Sequence, residues 1–167
     1  MNKERISDIS IMGMMVAVLE IVKFAFMSVP NIELVTLFII LFTLIIGKKA
    51  LVVVTAFSLI ECFIWGFGLW SIGYFYVWPI LVIITLIFKK SKNPLVWAII
   101  AGFYGLLFGA FFALTNLVVS GVEAAISFWM SGLLFDILHC ISNFLVTLVM
   151  FKPLYNILNK ILRIGFM

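Results

Sequence analysis

Charged residues are scarce in this sequence: Asp, Glu, Lys and Arg make up 11% of 167 residues, against 66% hydrophobic and a mean hydropathy of +1.33. A soluble fold of this length needs a polar exterior, and the chain does not carry the residues to make one. Reactive side chains are few as well. There is one histidine, His139, and two cysteines, Cys62 and Cys140. His139 and Cys140 are neighbours, so on a helix they diverge by about 100° and cannot close on one metal ion. Cys62 has no thiol near it in sequence, and both cysteines read as reduced packing residues. No nucleophile motif, phosphate-binding loop or metal-ligand spacing occurs. These absences count against an enzyme and imply no cofactor. Long polar linkers are also missing, so residues 1–167 read as one domain.

What the sequence has instead is apolar runs of membrane-spanning length, following one another from Ile9 almost to Phe151. Charges and breakers divide them into six predicted helices, at about 9–28, 33–46, 50–66, 71–88, 95–119 and 127–151. Val29-Pro30-Asn31 stops the first, Gly47-Lys48-Lys49 the second and Gly66-Phe67-Gly68 the third. The 89–94 segment, Lys-Lys-Ser-Lys-Asn-Pro, follows the fourth, and Lys152-Pro153 terminates the sixth, leaving a short amphipathic tail. The second is short for a full crossing. The first carries Glu20 and Lys23 and lacks a small-residue cleavage site, so it reads as a retained helix, not a signal peptide. The expected fold is an all-α membrane protein, a bundle of six transmembrane helices.

Basic residues orient the bundle, because Lys and Arg near helix ends stay on the cytoplasmic side. Lys3 and Arg5 precede the first helix, Lys48 and Lys49 join the second to the third, Lys89, Lys90 and Lys92 join the fourth to the fifth, and Lys152, Lys160 and Arg163 follow the sixth. The alternate connections hold none. Both termini are therefore expected in the cytoplasm, and the net charge of +4 reflects topology. A nucleic-acid partner would want these cations on one face, whereas they are spread over four junctions.

That orientation gives every intramembrane polar group a depth. Glu20 and Lys23, Glu33, Glu61, and Asp136 with His139 all fall in the outer half or middle of their helices. A charge at mid-membrane costs roughly 2.5–3.5 kcal/mol, so several at one level point to a water-filled cavity open to the outside. In the last helix Gly132, Asp136, His139, Asn143 and Thr147 recur every three or four residues and share one face. This stripe reads either as a pocket lining or as a hydrogen-bonded seam between helices. Ser58, Glu61 and Trp65 share a face in the same way, and Glu61 can alternatively form a structural ion pair with Lys23. Glu20, Glu33, Glu61, Glu123 and Asp136 outnumber Lys23 among the outer groups, which disfavours an anionic substrate. Trp65, Trp70 and Tyr74 lie near the same level, placed either to stack on a planar heterocycle or as the interfacial aromatic belt. Small residues form two further stripes, Ala98, Gly102, Gly105, Gly109 and Ala113 in the fifth helix and Gly13 with Ala17 in the first.

The whole chain resembles a substrate-binding S component of an energy-coupling-factor (ECF) type vitamin transporter. Six helices, the small pair Gly13 and Ala17, and a last helix reading Gly132-Leu-Leu-Phe-Asp136-Ile-Leu-His139-Cys-Ile-Ser-Asn143 before Lys152-Pro153-Leu154 carry the resemblance. It implies a multi-pass protein of the bacterial cytoplasmic membrane that binds a vitamin or related micronutrient from outside. Its partners would be a transmembrane coupling protein, docked at Gly13 and Ala17, and two ATPase subunits that hydrolyse ATP. The substrate would be neutral or cationic with a planar ring, held by Asp136, His139, Asn143, Glu61, Glu20, Lys23, Trp65, Trp70 and Tyr74. Two departures stand out. Family members usually place two alanines where this chain has Gly13 and Ala17, and they often have a longer connection than Val29 to Ile32 to cover the pocket. The alternative reading is a non-transporting membrane scaffold resembling a small component of the bacterial rod-shape complex, which is similar in size and helix count but has no need for outer ionisable groups.

Overall fold

The computed structural model describes residues 3–29 and 32–165. Pro30 and Asn31, expected to stop the first helix, lie outside the described residues, as do the side chains of Lys3, Arg5 and Arg163. The elements in chain order are α1 (Lys3–Phe26), α2 (Val35–Ile46), a single 3-10 turn (Gly47–Lys49), α3 (Ala50–Trp65), α4 (Leu69–Phe88), α5 (Pro94–Leu106), α6 (Phe108–Ser120) and α7 (Val122–Gly165). Among the described residues there is no strand. A helix satisfies its backbone polar groups internally, which is what a chain with so little polar surface requires in lipid.

Five stretches are long and apolar enough to cross a membrane: Ile6–Phe26, Val35–Trp65, Leu69–Phe88, Pro94–Ser120 and Val122–Ile161. The second contains both α2 and α3, and side-chain contacts show that they run in opposite directions. Thr36 of α2 meets Asn143 of α7, and eight residues on, Leu44 shares a cavity wall with Phe151 and Lys152, so α2 runs beside α7 in the same sense. At the 3-10 turn Lys49 bonds Asp8 of α1 at 2.6 Å, and near the end of α3 Glu61 pairs with Lys23 of α1. Gly47 makes the reversal, with φ of +60°, a conformation that suits a residue without Cβ. The bundle thus has a basic end, with Lys48, Lys49, Lys89, Lys92 and Lys152, and an opposite end with residues 27–29 and 32–34 and the connections at 66–68 and 121.

α2 is the central element. Its sequence is apolar all round, and eight of its twelve residues are buried against α1, α3, α4, α5 and α7. Hydroxyls buried in this core bond back to their own helices: Thr43 to Ile39 O at 2.7 Å, Ser58 to Val54 O at 2.9 Å and Thr85 to Leu81 O at 2.8 Å. Large apolar side chains such as Ile21, Phe63, Val118 and Val149 instead face outward. Exposed apolar surface of this extent would aggregate in water and belongs in lipid. The chain is a helical, membrane-embedded protein.

Four boundaries differ most from those expected, the first being the start of the last helix, at Val122 and not 127. α1 begins at Lys3, because a helix continues past its apolar stretch where polar residues have good helix propensity. The expected fifth helix is broken at Leu107 into α5 and α6. The last helix does not end at Lys152-Pro153 but runs on unbroken to Gly165. Proline removes only one helical hydrogen bond, and the turns beyond it are anchored. Tyr155 stacks on Phe151 with ring centroids 5.6 Å apart, and Leu154 and Leu158 pack against the core.

Candidate functional site

Near the end opposite the lysines, α1, α3, α4, α6 and α7 border an open cavity of about 460 Å³. Its lining holds three ionisable residues, Lys23, Glu61 and Asp136, and seven aromatic ones, Trp65, Trp70, Tyr74, Phe108, Phe112, Phe128 and Phe135, with Gly109 and Gly132. This volume falls in the range of small-molecule sites, and the balance of apolar wall with few polar groups is the usual one.

Asp136 is the most constrained of the polar groups. It is 4% exposed, and its Oδ1 accepts a hydrogen bond from the backbone N–H of Gly109 at 2.9 Å. The break at Leu107 makes that bond available, because Gly109 falls in the first turn of α6, where amides have no partner within the helix. Gly109 must lack a side chain, since a Cβ would overlap Asp136 Oδ2. Oδ2 itself is sealed from water and makes no hydrogen bond, although the Trp129 indole acts on the carboxyl.

Across the cavity Lys23 pairs with the fully buried Glu61, donates to Tyr74 Oη at 3.3 Å and lies 5.2 Å from the Tyr74 ring centroid. Tyr74 is also the hub of the aromatic wall. Trp70 meets it edge-on at 5.2 Å, Trp78 at 5.5 Å and Phe112 at 5.9 Å. Phe112 can lean across α4 only because residue 73 is glycine; a Cβ there would overlap its ring. Phe108 packs 5.1 Å from Phe112 and 5.1 Å from the His139 ring.

Of the expected substrate-binding residues, Asp136, Glu61, Lys23, Trp65, Trp70 and Tyr74 line this cavity, while His139, Asn143 and Glu20 do not. His139 Nε2 is instead 3.3 Å from Glu33 Oε1, whose partner Oε2 accepts the Thr36 amide at 2.9 Å. Asn143 Nδ2 donates to Thr36 Oγ1 at 3.4 Å, and both His139 and Asn143 press on Gly105 of α5. The polar stripe of the last helix is therefore two things in sequence, a pocket lining at Gly132 and Asp136 and an interhelical seam from His139 inward. The Glu20 carboxylate oxygens are buried without a hydrogen bond, three residues before Lys23. Ser58 turns away from the cavity to the Tyr74 carbonyl, at 3.2 Å. Gly13 and Ala17 are exposed, and a Cβ at Gly13 would meet nothing within 4 Å, so the small pair faces outward and does not pack internally.

Sequence reasoning misses Phe108, Phe112, Phe128 and Phe135. With 18 phenylalanines in the chain nothing marks these four, although Phe128, Gly132 and Phe135 fall at helical spacing with Asp136. No family model, curated protein or solved structure matches the chain.

Proposed function

We propose that this protein is the substrate-binding S component of an ECF-type ABC transporter of the bacterial cytoplasmic membrane, taking up a vitamin or related micronutrient. In this reading the chain crosses the membrane six times, α5 and α6 together forming one crossing, with both termini in the cytoplasm. The observation that carries the substrate-binding role is the aromatic cavity with the buried, half-satisfied Asp136 carboxylate. Oδ2 is closed off from water, so a ligand donor would reach it by displacing a neighbouring side chain and would then relieve an unfavourable buried acceptor. Aromatic walls suit a planar ring, and two carboxylates against one ammonium suit a neutral or cationic ligand. Energy would come from a transmembrane coupling protein and two ATPases, docked along the outward face bearing Gly13 and Ala17.

Mass spectrometry of small molecules that co-purify with the detergent-solubilised protein tests the binding role. A planar-ring micronutrient is the expected finding. If no ligand co-purifies and none of a vitamin panel raises the thermal unfolding temperature, the reading fails. Gly13→Leu should bind the same ligand yet lose the coupling protein on purification; retention of both would remove the docking role. For topology, single cysteines at Phe67 and Ser120 should react with an impermeant thiol reagent in intact cells, whereas one at Lys92 should not.

A further inference from the structure

At the basic end, a second cavity of about 310 Å³ lies between α2, the 89–93 connection and α7. Lys89, Lys92 and Lys152, all exposed, line it with Ser91 and Asn156, while Leu44, Pro94 and Phe151 make an apolar wall. None of the three lysines joins an ion pair among the described residues. Among the acidic side chains described, Asp8 bonds Lys49, Glu20, Glu33, Glu61 and Asp136 belong to the opposite half, and Glu123 lies in the first turn of α7. Three like charges around one recess repel each other unless an anion sits between them.

The recess is held in shape. Ser91 N–H bonds Phe88 O at 2.9 Å, the Trp97 indole donates to Ser91 O at 3.2 Å, and Asn93 caps α5 through the Leu95 amide at 3.0 Å. On the other wall Trp97, Phe151 and Tyr155 stack in series, with centroids 5.9 and 5.6 Å apart. The three lysines are exposed, as cations retained at a membrane face are, but they line one recess that also has an apolar flank. We infer that this cavity binds the phosphate headgroup of an anionic phospholipid, the lysines taking the phosphate and the wall of Leu44, Pro94 and Phe151 taking the start of the acyl chains. The site is independent of the cavity at the other end and of the transport reading.

The test uses the full chain in nanodiscs of phosphatidylglycerol and phosphatidylcholine, with retained lipid counted by native mass spectrometry after extraction. Wild type should keep phosphatidylglycerol in preference to phosphatidylcholine. Lys89→Gln, Lys92→Gln and Lys152→Gln should each reduce that preference about fivefold, and Lys90→Gln, outside the cavity, should not. Equal retention of the two lipids, or a loss as large in Lys90→Gln as in the cavity variants, overturns the proposal. Inorganic phosphate should not empty the site; displacement of lipid by phosphate alone would make it a free-phosphate site and overturn the lipid assignment. Each single variant is checked for unchanged helical content, so that lost retention reports the site and not the fold.

Discussion

The two halves of α7 on either side of Asp136 behave differently although both belong to one unbroken helix. From Val122 to Phe135 only Ala125 is buried, and Gly132 has free space where a side chain would project. From Asp136 inward, Asn143, Thr147 and Phe151 are buried, and the backbone lies close enough to α5 that a Cβ at Gly105 would come within 2.9 Å of the His139 carbonyl. The difference is made by the partners. The inner half has α2 and α5 against it, with glycines at Gly102 and Gly105 permitting close approach, whereas the outer half has α6 against it and the cavity opening beside it. One helix face can therefore be a seam between helices along one part and a cavity lining along another, and its neighbours determine which.

The contrast is open to direct attack. Gly105→Val should have the largest effect, because its side chain would strike backbone that cannot yield. A loss of about 3 kcal/mol or more is expected, seen as a fall in thermal unfolding temperature or failure to recover folded protein. Gly132→Phe should leave unfolding unchanged yet abolish ligand binding by filling the cavity, a loss of more than about 3 kcal/mol in affinity by calorimetry. Wild-type affinity in that variant would place the ligand elsewhere. Asp136→Ala should weaken binding by roughly ten- to a hundredfold, the equivalent of about 1–3 kcal/mol for an unpaired ligand donor. Asn143→Ala should be the mildest, costing about 0.6 kcal/mol of stability through the lost contact with Thr36 and leaving affinity intact. If Asn143→Ala instead weakened binding as much as Asp136→Ala, the division of the helix into seam and pocket would be wrong.

The helical, membrane-embedded class was legible because it rests on composition and run length, which need no tertiary information. The polar face of the last helix was legible from spacing alone. Its division was not, because whether His139 meets a ligand or Glu33 depends on the register of α2 against α7, and α2 is apolar all round and shows no preferred face. The break at Leu107 was hidden for a related reason. No proline or polar pair marks it, and its cause is the packing of Gly105 and Gly109 against different parts of α7. Pro153 misled in the opposite direction, since an interior proline ends a helix only if the following turns have nothing to hold them.

The contact between Gly109 and Asp136 ties two positions 27 residues apart into one heritable unit. An alanine at 109 collides with the carboxylate, whereas a smaller residue at 136 removes the obstacle and leaves the amide free to point into the cavity. Descendants of this sequence should therefore change the two positions together, first at 136 and then at 109, and under the proposed binding role a change of ligand should be written in that pair before it appears in the aromatic walls.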